Sequence, residues 1–105
     1  MPLTDIRTAE QVAAEAIAAH KARCVAAIDD FVETQARALE YNSAAHLAGY
    51  ATSTVAQWAA EAQAFVAWRD ACWIAALTLL AQAEGGGDVP SVDDVLAALP
   101  EWPGV

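Results

Sequence analysis

Residues 57–84 read QWAAEAQAFVAWRDACWIAALTLLAQAE, a stretch without glycine or proline that three glycines at 85–87 bring to an end. Thr54 and Gln57 offer a capping box at its start. Its large apolar side chains recur every seven residues, in one row at 58, 65, 72 and 79 and in a second at 66, 73 and 80. Apolar residues at this spacing share one side of an α-helix. We therefore predict one long helix here, with an apolar arc wide enough to make it the most buried element.

Alanine dominates the composition. Apolar residues make up 57% of the chain, and 28 of the 105 residues are alanine. Alanine has the highest helix propensity and buries little area, so helices rich in it approach one another closely. The composition predicts an all-α fold with one modest core, and it excludes β and α/β architectures.

A second long helix precedes this one. Thr8 and Gln11 form a capping-box pattern, and neither glycine nor proline interrupts the chain from there to about Leu39. The first half of this helix is faced with alanine, whereas the second half carries an apolar stripe with a near-heptad step. The stripe consists of Val25, Ile28, Val32 and Leu39. We predict that these four residues form an oligomer seam.

Two short helices complete the pattern. Asn42 or Ser43 caps a helix that ends at Gly49, and Ser91 caps a helix that Pro100 ends. The predicted architecture is a hairpin of two long helices with two short ones. It divides into a long N-terminal helix over 1–40, which binds a partner or another copy, and a helical C-terminal module over 41–105.

The length of the helices bears on the assembly. A helix of 30 residues reaches on the order of 45 Å, which is long for a chain whose compact form has a radius of gyration of about 13 Å. An alanine-faced helix is stable mainly when it packs against another surface. We therefore expect an oligomeric helical bundle. Either a homo-oligomer or a complex with an obligate partner would supply the missing surface.

The charge balance excludes several classes of partner. Five Lys and Arg against fourteen Asp and Glu give a net charge of −9. We expect no nucleic-acid partner, because no stretch is basic enough to follow a phosphate backbone, and no membrane partner, because an anionic surface would repel the chain. The start, MPLTDIRTAE, lacks the apolar core of a signal peptide, and the longest apolar stretch, 71–77, is shorter than the roughly 20 residues of a membrane helix. These features predict a cytosolic protein with reduced cysteines.

Catalytic and metal-binding patterns are weak. His20 and Cys24 lie one helical turn apart, but His46 and Cys72 would complete a zinc set only if three helices met. The chain contains no Gly-x-Ser-x-Gly motif, no glycine-rich phosphate loop and no pair of Glu-x-x-His motifs. We predict no enzymatic activity, no catalytic residue and no cofactor, and we keep a metal-dependent helical protein only as an alternative.

The most unusual stretch places charges among aromatic residues. Arg69 and Asp70 lie between Trp68 and Trp73 in the most apolar helix. Because an unpaired buried charge is costly, Arg69 must pair with a carboxylate or a helix end, or reach an interface. Tryptophan and arginine are favoured interface anchors. We therefore take Trp68 and Arg69 as candidate partner-binding residues, together with Trp102 in the proline-flanked tail.

Four segments from residue 41 onward resemble a known group of proteins. They are YNS at 41–43, GYATS at 49–53, QWAAEAQAFVAWRDACW at 57–73 and VPSVDDVLAALP at 89–100. The pattern resembles small tail-fibre-associated and tail-fibre assembly proteins of tailed bacteriophages. The resemblance implies a chaperone-like, non-enzymatic role in building a tail or tail fibre, in the host cytoplasm during phage assembly or as a component of the virion tail.

The resemblance carries over no catalytic or binding residue, and the triple glycine and Cys72 depart from its pattern. We add Tyr50, in the matching turn, to the candidate partner-binding residues. Two functions follow. The first is a binder of a phage tail-fibre or tail polypeptide, acting transiently as a chaperone or staying in the particle. The alternative is a self-assembling coiled-coil structural protein with no client.

Overall fold

The computed structural model describes residues 8–105, and over that range it consists of helices and connections without a β-strand. The helices are α1 (Ala9–Ala38), α2 (Ala44–Ala48), α3 (Ala56–Glu84) and α4 (Val92–Ala98), and a 3-10 turn over Gly49–Thr52 follows α2. The all-α fold class and the combination of two long and two short helices are therefore confirmed.

The two long helices form an antiparallel hairpin. Near its open end Lys21 Nζ lies 3.7 Å from Glu84 Oε1, and further along the rings of Phe31 and Trp68 lie 5.6 Å apart. Residues 9–16 of α1 therefore extend beyond the end of α3, and all of them are exposed. The radius of gyration is 18.1 Å and the principal extents are 63 × 31 × 19 Å. The molecule is elongated, since a compact chain of this length would have a radius of gyration of about 13 Å.

The core lies where α1, α3 and α4 meet. On α1 the buried residues follow at intervals of four, which places them on one side of the helix. Small residues on α3 let the helices approach closely around the fully buried ring of Phe65. The core residues are Cys24, Ile28, Val32, Ala36, Leu47, Ala62, Phe65, Trp68, Cys72, Ala76, Val95 and Leu99.

The last helix is attached to the hairpin at both ends. At its start Ser91 and Asp94 form a capping box, and the carbonyl oxygen of the preceding Pro90 lies 2.7 Å from His20 Nε2. At its end the carbonyl oxygen of Pro100 accepts a hydrogen bond from Trp68. These contacts hold α4 against both long helices.

The predicted seam residues lie within this core. Ile28 and Val32 are buried by the chain itself, and Val25 and Leu39 are half-buried. The stripe packs inside its own hairpin, so in this structure Ile28 and Val32 have no surface to offer a second copy. Both predicted domains contribute to one core.

One local expectation needs correction. The Thr8–Gln11 capping box is present, and Ser43 caps α2, but Thr54 and Gln57 form no capping box. α3 instead begins at Ala56, because the Ser53 hydroxyl accepts the Val55 N–H at 3.1 Å and holds the connector in a turn. α3 has six buried residues against four on α1, as expected for the most buried element, but its outer side is open. Large side chains on its outer side are exposed, namely Trp58 (48%), Ile74 (66%) and Leu77 (55%).

Candidate polypeptide-binding surfaces

Trp68 lies in the core rather than on the surface. Only 4% of it is exposed, and its indole N–H donates a 2.9 Å hydrogen bond to the Pro100 carbonyl oxygen. Its ring packs against those of Phe31, Phe65 and Trp102, at centroid distances of 5.6, 5.8 and 5.7 Å. Trp68 therefore serves the fold and offers no open face to a partner.

Trp102 and Arg69 lie beside Trp68 and are partly accessible. The half-buried Trp102 ring meets that of Trp68 edge to face, at 84°. The Arg69 guanidinium pairs with its neighbour Asp70, with Nη2 at 2.9 Å and Nε at 3.0 Å from Oδ1, and the two side chains are 34% and 56% exposed. The charges within the apolar helix are thus neutralised at the surface, where an ion pair contributes little to stability.

Tyr50 belongs to a separate pocket at the end of the hairpin that α2 closes. The pocket has a volume of about 240 Å³ and is lined by Glu40, Tyr41, His46, Tyr50 and Trp58. Tyr50 lies at its centre, with its ring 5.6 Å from Tyr41, 5.4 Å from His46 and 5.8 Å from Trp58. The structure therefore brings Trp68 and Trp102 together and places Tyr50 in a separate pocket, whereas Arg69 pairs with Asp70.

A carboxylate lies against the base of this pocket. Burial, above all, raises the pKa of Tyr41 from its ordinary value of 10.0, and a hydrogen bond to Glu61 and the charge of that carboxylate raise it further. The phenol accordingly keeps its proton to a higher pH than an exposed tyrosine does. The Glu61 carboxylate adds negative charge near the Tyr41 side of the pocket.

A second concavity lies at the open end of the hairpin. It has a volume of about 300 Å³ and is lined by Ile17, His20, Lys21, Leu80, Ala83, Glu84 and Val89. Ile17 is 64% exposed and Val89 62% exposed, whereas Leu80 forms a buried floor at 9%. The Lys21–Glu84 ion pair lies on its rim. We refer to this concavity as the open-end groove; it is apolar in its lining and ringed by a few polar groups.

Sequence reasoning did not find either concavity. Ile17 stood out only as an isolated large residue in an alanine-rich stretch, and Val89 belongs to the connector after the glycines. Glu40 and Tyr41 lie in the connection after α1 and Trp58 lies in α3, so no helical periodicity relates them. Tyr41, Tyr50 and Trp58 all lie in segments that carry the resemblance, but only Tyr50 was taken as a candidate and nothing related the three to one another.

The cysteines and histidines do not converge. Cys24 and Cys72 are free thiols within the core, His20 Nε2 lies 3.7 Å from Cys24 Sγ, and His46 lies in the aromatic pocket. Across residues 8–105 no three His, Cys, Asp or Glu side chains are grouped so that they could hold a metal ion. Burial raises the pKa of the Cys72 thiol, which makes it a weak nucleophile.

The outer face of α3 is apolar. By length and composition this helix is able to cross a membrane, with a mean hydropathy of 1.4 over its most apolar part, although core helices of soluble proteins meet the same criterion. Its Thr78 hydroxyl donates to the Ile74 carbonyl oxygen at 2.7 Å, which satisfies the hydroxyl within the helix. Ile74 and Leu77 are three residues apart and so lie on the same side of the helix. The satisfied Thr78 hydroxyl adds little polarity to this face.

Comparison with known proteins finds no relative: no family model, curated protein or solved structure matches the chain. A function must therefore be argued from the two concavities, the acidic charge and the motif pattern.

Proposed function

We propose that the chain is a non-enzymatic tail-fibre assembly protein of a tailed bacteriophage, which binds a tail-fibre or tail polypeptide in the host cytoplasm. The motifs between residues 41 and 100 suggest the phage context. The open-end groove is the observation that carries the binding role. Whether the protein leaves after assembly, as a chaperone, or stays in the virion tail does not alter the contact proposed.

The groove is suited to an apolar segment of polypeptide. Ile17 and Val89 are large apolar side chains held largely in water above the buried Leu80. Covering apolar surface gains about 25 cal/mol per Å², so a partner that fills the groove is stabilised on both sides. The exposed start of α1, residues 9–16, lies beyond the groove and does not line it.

Charge restricts the partner further. The chain carries −9, so long-range repulsion disfavours strongly acidic partners, and attraction speeds encounter with neutral or basic ones. The Lys21–Glu84 pair on the rim gives a docking segment one donor group and one acceptor group for its backbone or polar side chains. The partner that we propose is therefore a non-acidic polypeptide segment with apolar side chains.

Capture of the polypeptide encoded by the neighbouring tail-fibre gene tests this proposal. Co-expression with the tagged wild-type chain should yield a stable complex, and Ile17→Asp should weaken it at least about tenfold, since an apolar contact of this size is replaced by a charge. Val12→Asp is the matched control, because Val12 is exposed on the same helix but does not line the groove. Equal binding by both variants, with unchanged far-UV circular dichroism, would remove the groove from the proposal.

The exposed face of α3 favours a second candidate, a self-assembling structural protein with no client. Ile74 and Leu77 would be covered if two copies packed through this face. Light scattering on a size-exclusion column distinguishes the two. A monomer of 11.0 kDa supports the binder. A defined oligomer that Ile74→Asp dissociates supports self-assembly.

A further inference from the structure

The aromatic pocket combines exposed π faces with a shape that admits a small group. Its volume of about 240 Å³ would hold several water molecules at about 30 Å³ each. Tyr41, His46 and Tyr50 meet at tilted or edge-to-face angles of 58° to 76°, and Trp58 stands at 82° to Tyr50. Trp58 keeps 48% of its surface exposed. Rings set at such angles turn some of their electron-rich faces towards the space between them.

The charges around this space are negative. Glu40 lines the pocket, and the charge of the nearby Glu61 carboxylate acts on Tyr41. Neither lysine nor arginine is among the lining residues. His46 is the one lining residue with a basic side chain. Aromatic faces beside carboxylates attract organic cations, because the ring quadrupole and the carboxylate charge act in the same direction.

The backbone at Glu40 adds a separate observation. Glu40 has φ +72°, the left-handed conformation, and is the one non-glycine residue between 8 and 105 with a positive φ. Its N–H reaches the Arg37 carbonyl oxygen at 2.9 Å, and the Tyr41 N–H reaches that of Ala36 at 3.1 Å, which together make the Schellman motif that usually ends in glycine. A glutamate at this position is destabilising for the fold, and strained residues of this kind cluster at binding sites.

From these observations we infer that the pocket binds a positively charged side chain, an ammonium or guanidinium group, of the polypeptide partner. The inference rests on the proposed function for the source of the cation, while the pocket chemistry stands without it. The cation lies against Trp58 and Tyr50 and is neutralised by Glu40. This contact would give the acidic chain a means to select one basic residue of its client, at the end of the hairpin away from the open-end groove.

Small cations test the pocket without the client. The probes are tetramethylammonium chloride, N-acetyl-lysine methylamide and N-acetyl-arginine methylamide, with uncharged tert-butanol as the control for size. Proton–nitrogen correlation spectra resolve the indole N–H groups of the four tryptophans. We expect saturable, millimolar binding of the cations that shifts the Trp58 indole and moves the probe methyl signals upfield, and no saturable shift with tert-butanol.

Variants locate the binding. Trp58→Leu should weaken it about fivefold, whereas Trp58→Phe, which keeps an aromatic face, should retain most of the affinity. Glu40→Gln should weaken it about fivefold as well, because it removes the carboxylate at contact distance. Asp29→Asn is the matched charge control: Asp29 is exposed on α1, about 16 Å from Glu40 in the direction of the helix axis, and should have no effect.

The outcomes separate this inference from the proposed function. If the cations fail to shift Trp58, or if Asp29→Asn weakens them as much as Glu40→Gln, the pocket inference is overturned even where the tail-fibre polypeptide is captured. If the cations bind as described but no polypeptide is captured, the pocket stands and the assembly role is lost. If both succeed, Glu40→Gln and Trp58→Leu should also reduce capture of the polypeptide, and unchanged capture would overturn the assignment of its side chain to this pocket.

Discussion

The indole N–H of Trp68 lies 2.9 Å from the carbonyl oxygen of Pro100, where it donates the hydrogen bond that joins the middle of α3 to the end of α4. Pro100 stops α4 because proline cannot continue a helix, so its carbonyl oxygen needs a donor from elsewhere. Trp68 is that donor, and its ring packs against Trp102 just beyond the stop. One side chain, that of Trp68, thus attaches both the end of α4 and the C-terminal tail to the core.

Replacing Trp68 should therefore destabilise the protein, and the loss should be larger for alanine than for phenylalanine. Trp68→Phe removes the donor and leaves the Pro100 carbonyl oxygen without it, at a loss of about 1–3 kcal/mol in the free energy of unfolding. Trp68→Ala also opens a cavity, at a loss of about 3–5 kcal/mol. Urea unfolding followed by circular dichroism measures both. Trp58→Phe, on an exposed ring, should change stability by no more than about 0.5 kcal/mol, and a comparable loss at both positions would show that the hydrogen bond is unimportant.

Glycine at position 40 should stabilise the fold. Glu40 occupies the left-handed position that closes the Schellman motif at the end of α1, where a side chain costs about 1 kcal/mol relative to glycine. Glu40→Gly should raise the free energy of unfolding by about that amount, measured by urea or thermal unfolding. Glu40→Ala keeps the Cβ and its strain, so its stability should stay near that of the wild type. Equal stabilisation by both substitutions would trace the gain to the removed charge instead.

How far the sequence predicts this structure depends on the kind of signal. Local signals were reliable where one hydroxyl and one side chain three residues later decide the outcome, as at Thr8 and Ser91. The same pattern at Thr54 was wrong, because Ser53 turns the connector before the helix can begin. The apolar stripe through Ile28 correctly predicted a buried face. A stripe does not specify its partner, however, and here the partner belongs to the same chain.

The candidate sites were harder to predict, because residue type alone does not show which side chains pack together. Trp68 and Trp102 were chosen as interface anchors from residue type, and only the packing distinguishes the enclosed ring from the partly accessible one. The aromatic pocket depends on a reversal of the chain after α1 that brings Tyr41 beside Tyr50, whose ring also meets that of Trp58. That reversal requires a left-handed backbone conformation at position 40. Glycine would have predicted this conformation, but the residue there is glutamate.

The position of Ile28 distinguishes a core residue from an oligomer seam. Ile28 is fully buried within the chain, so Ile28→Asp places an unpaired carboxylate in the core and should unfold the protein, with loss of the far-UV helical signal. Ile17→Asp, on the same helix but 64% exposed, should leave the signal unchanged and serves as the control. If the wild type were an oligomer and Ile28→Asp a folded monomer, the prediction that Ile28 lies in an oligomer seam would be supported instead. Light scattering and circular dichroism on the same samples decide between the two.

Alkaline pH should weaken the fold through Cys72 and Tyr41. Burial raises the pKa of the Cys72 thiol above its ordinary value of 9.0, and burial with the Glu61 carboxylate raises that of Tyr41 above 10.0. As pH rises past those ordinary values, the unfolded chain loses both protons while the folded chain keeps them, so the free energy of unfolding falls with pH. Cys72→Ala should make the decline between pH 9 and 10 shallower, because the unfolded variant no longer has this thiol to ionise. Urea titrations at several pH values measure the slope, and Tyr41→Phe should flatten only its upper part. A slope that neither variant changes would place the alkaline sensitivity in other groups.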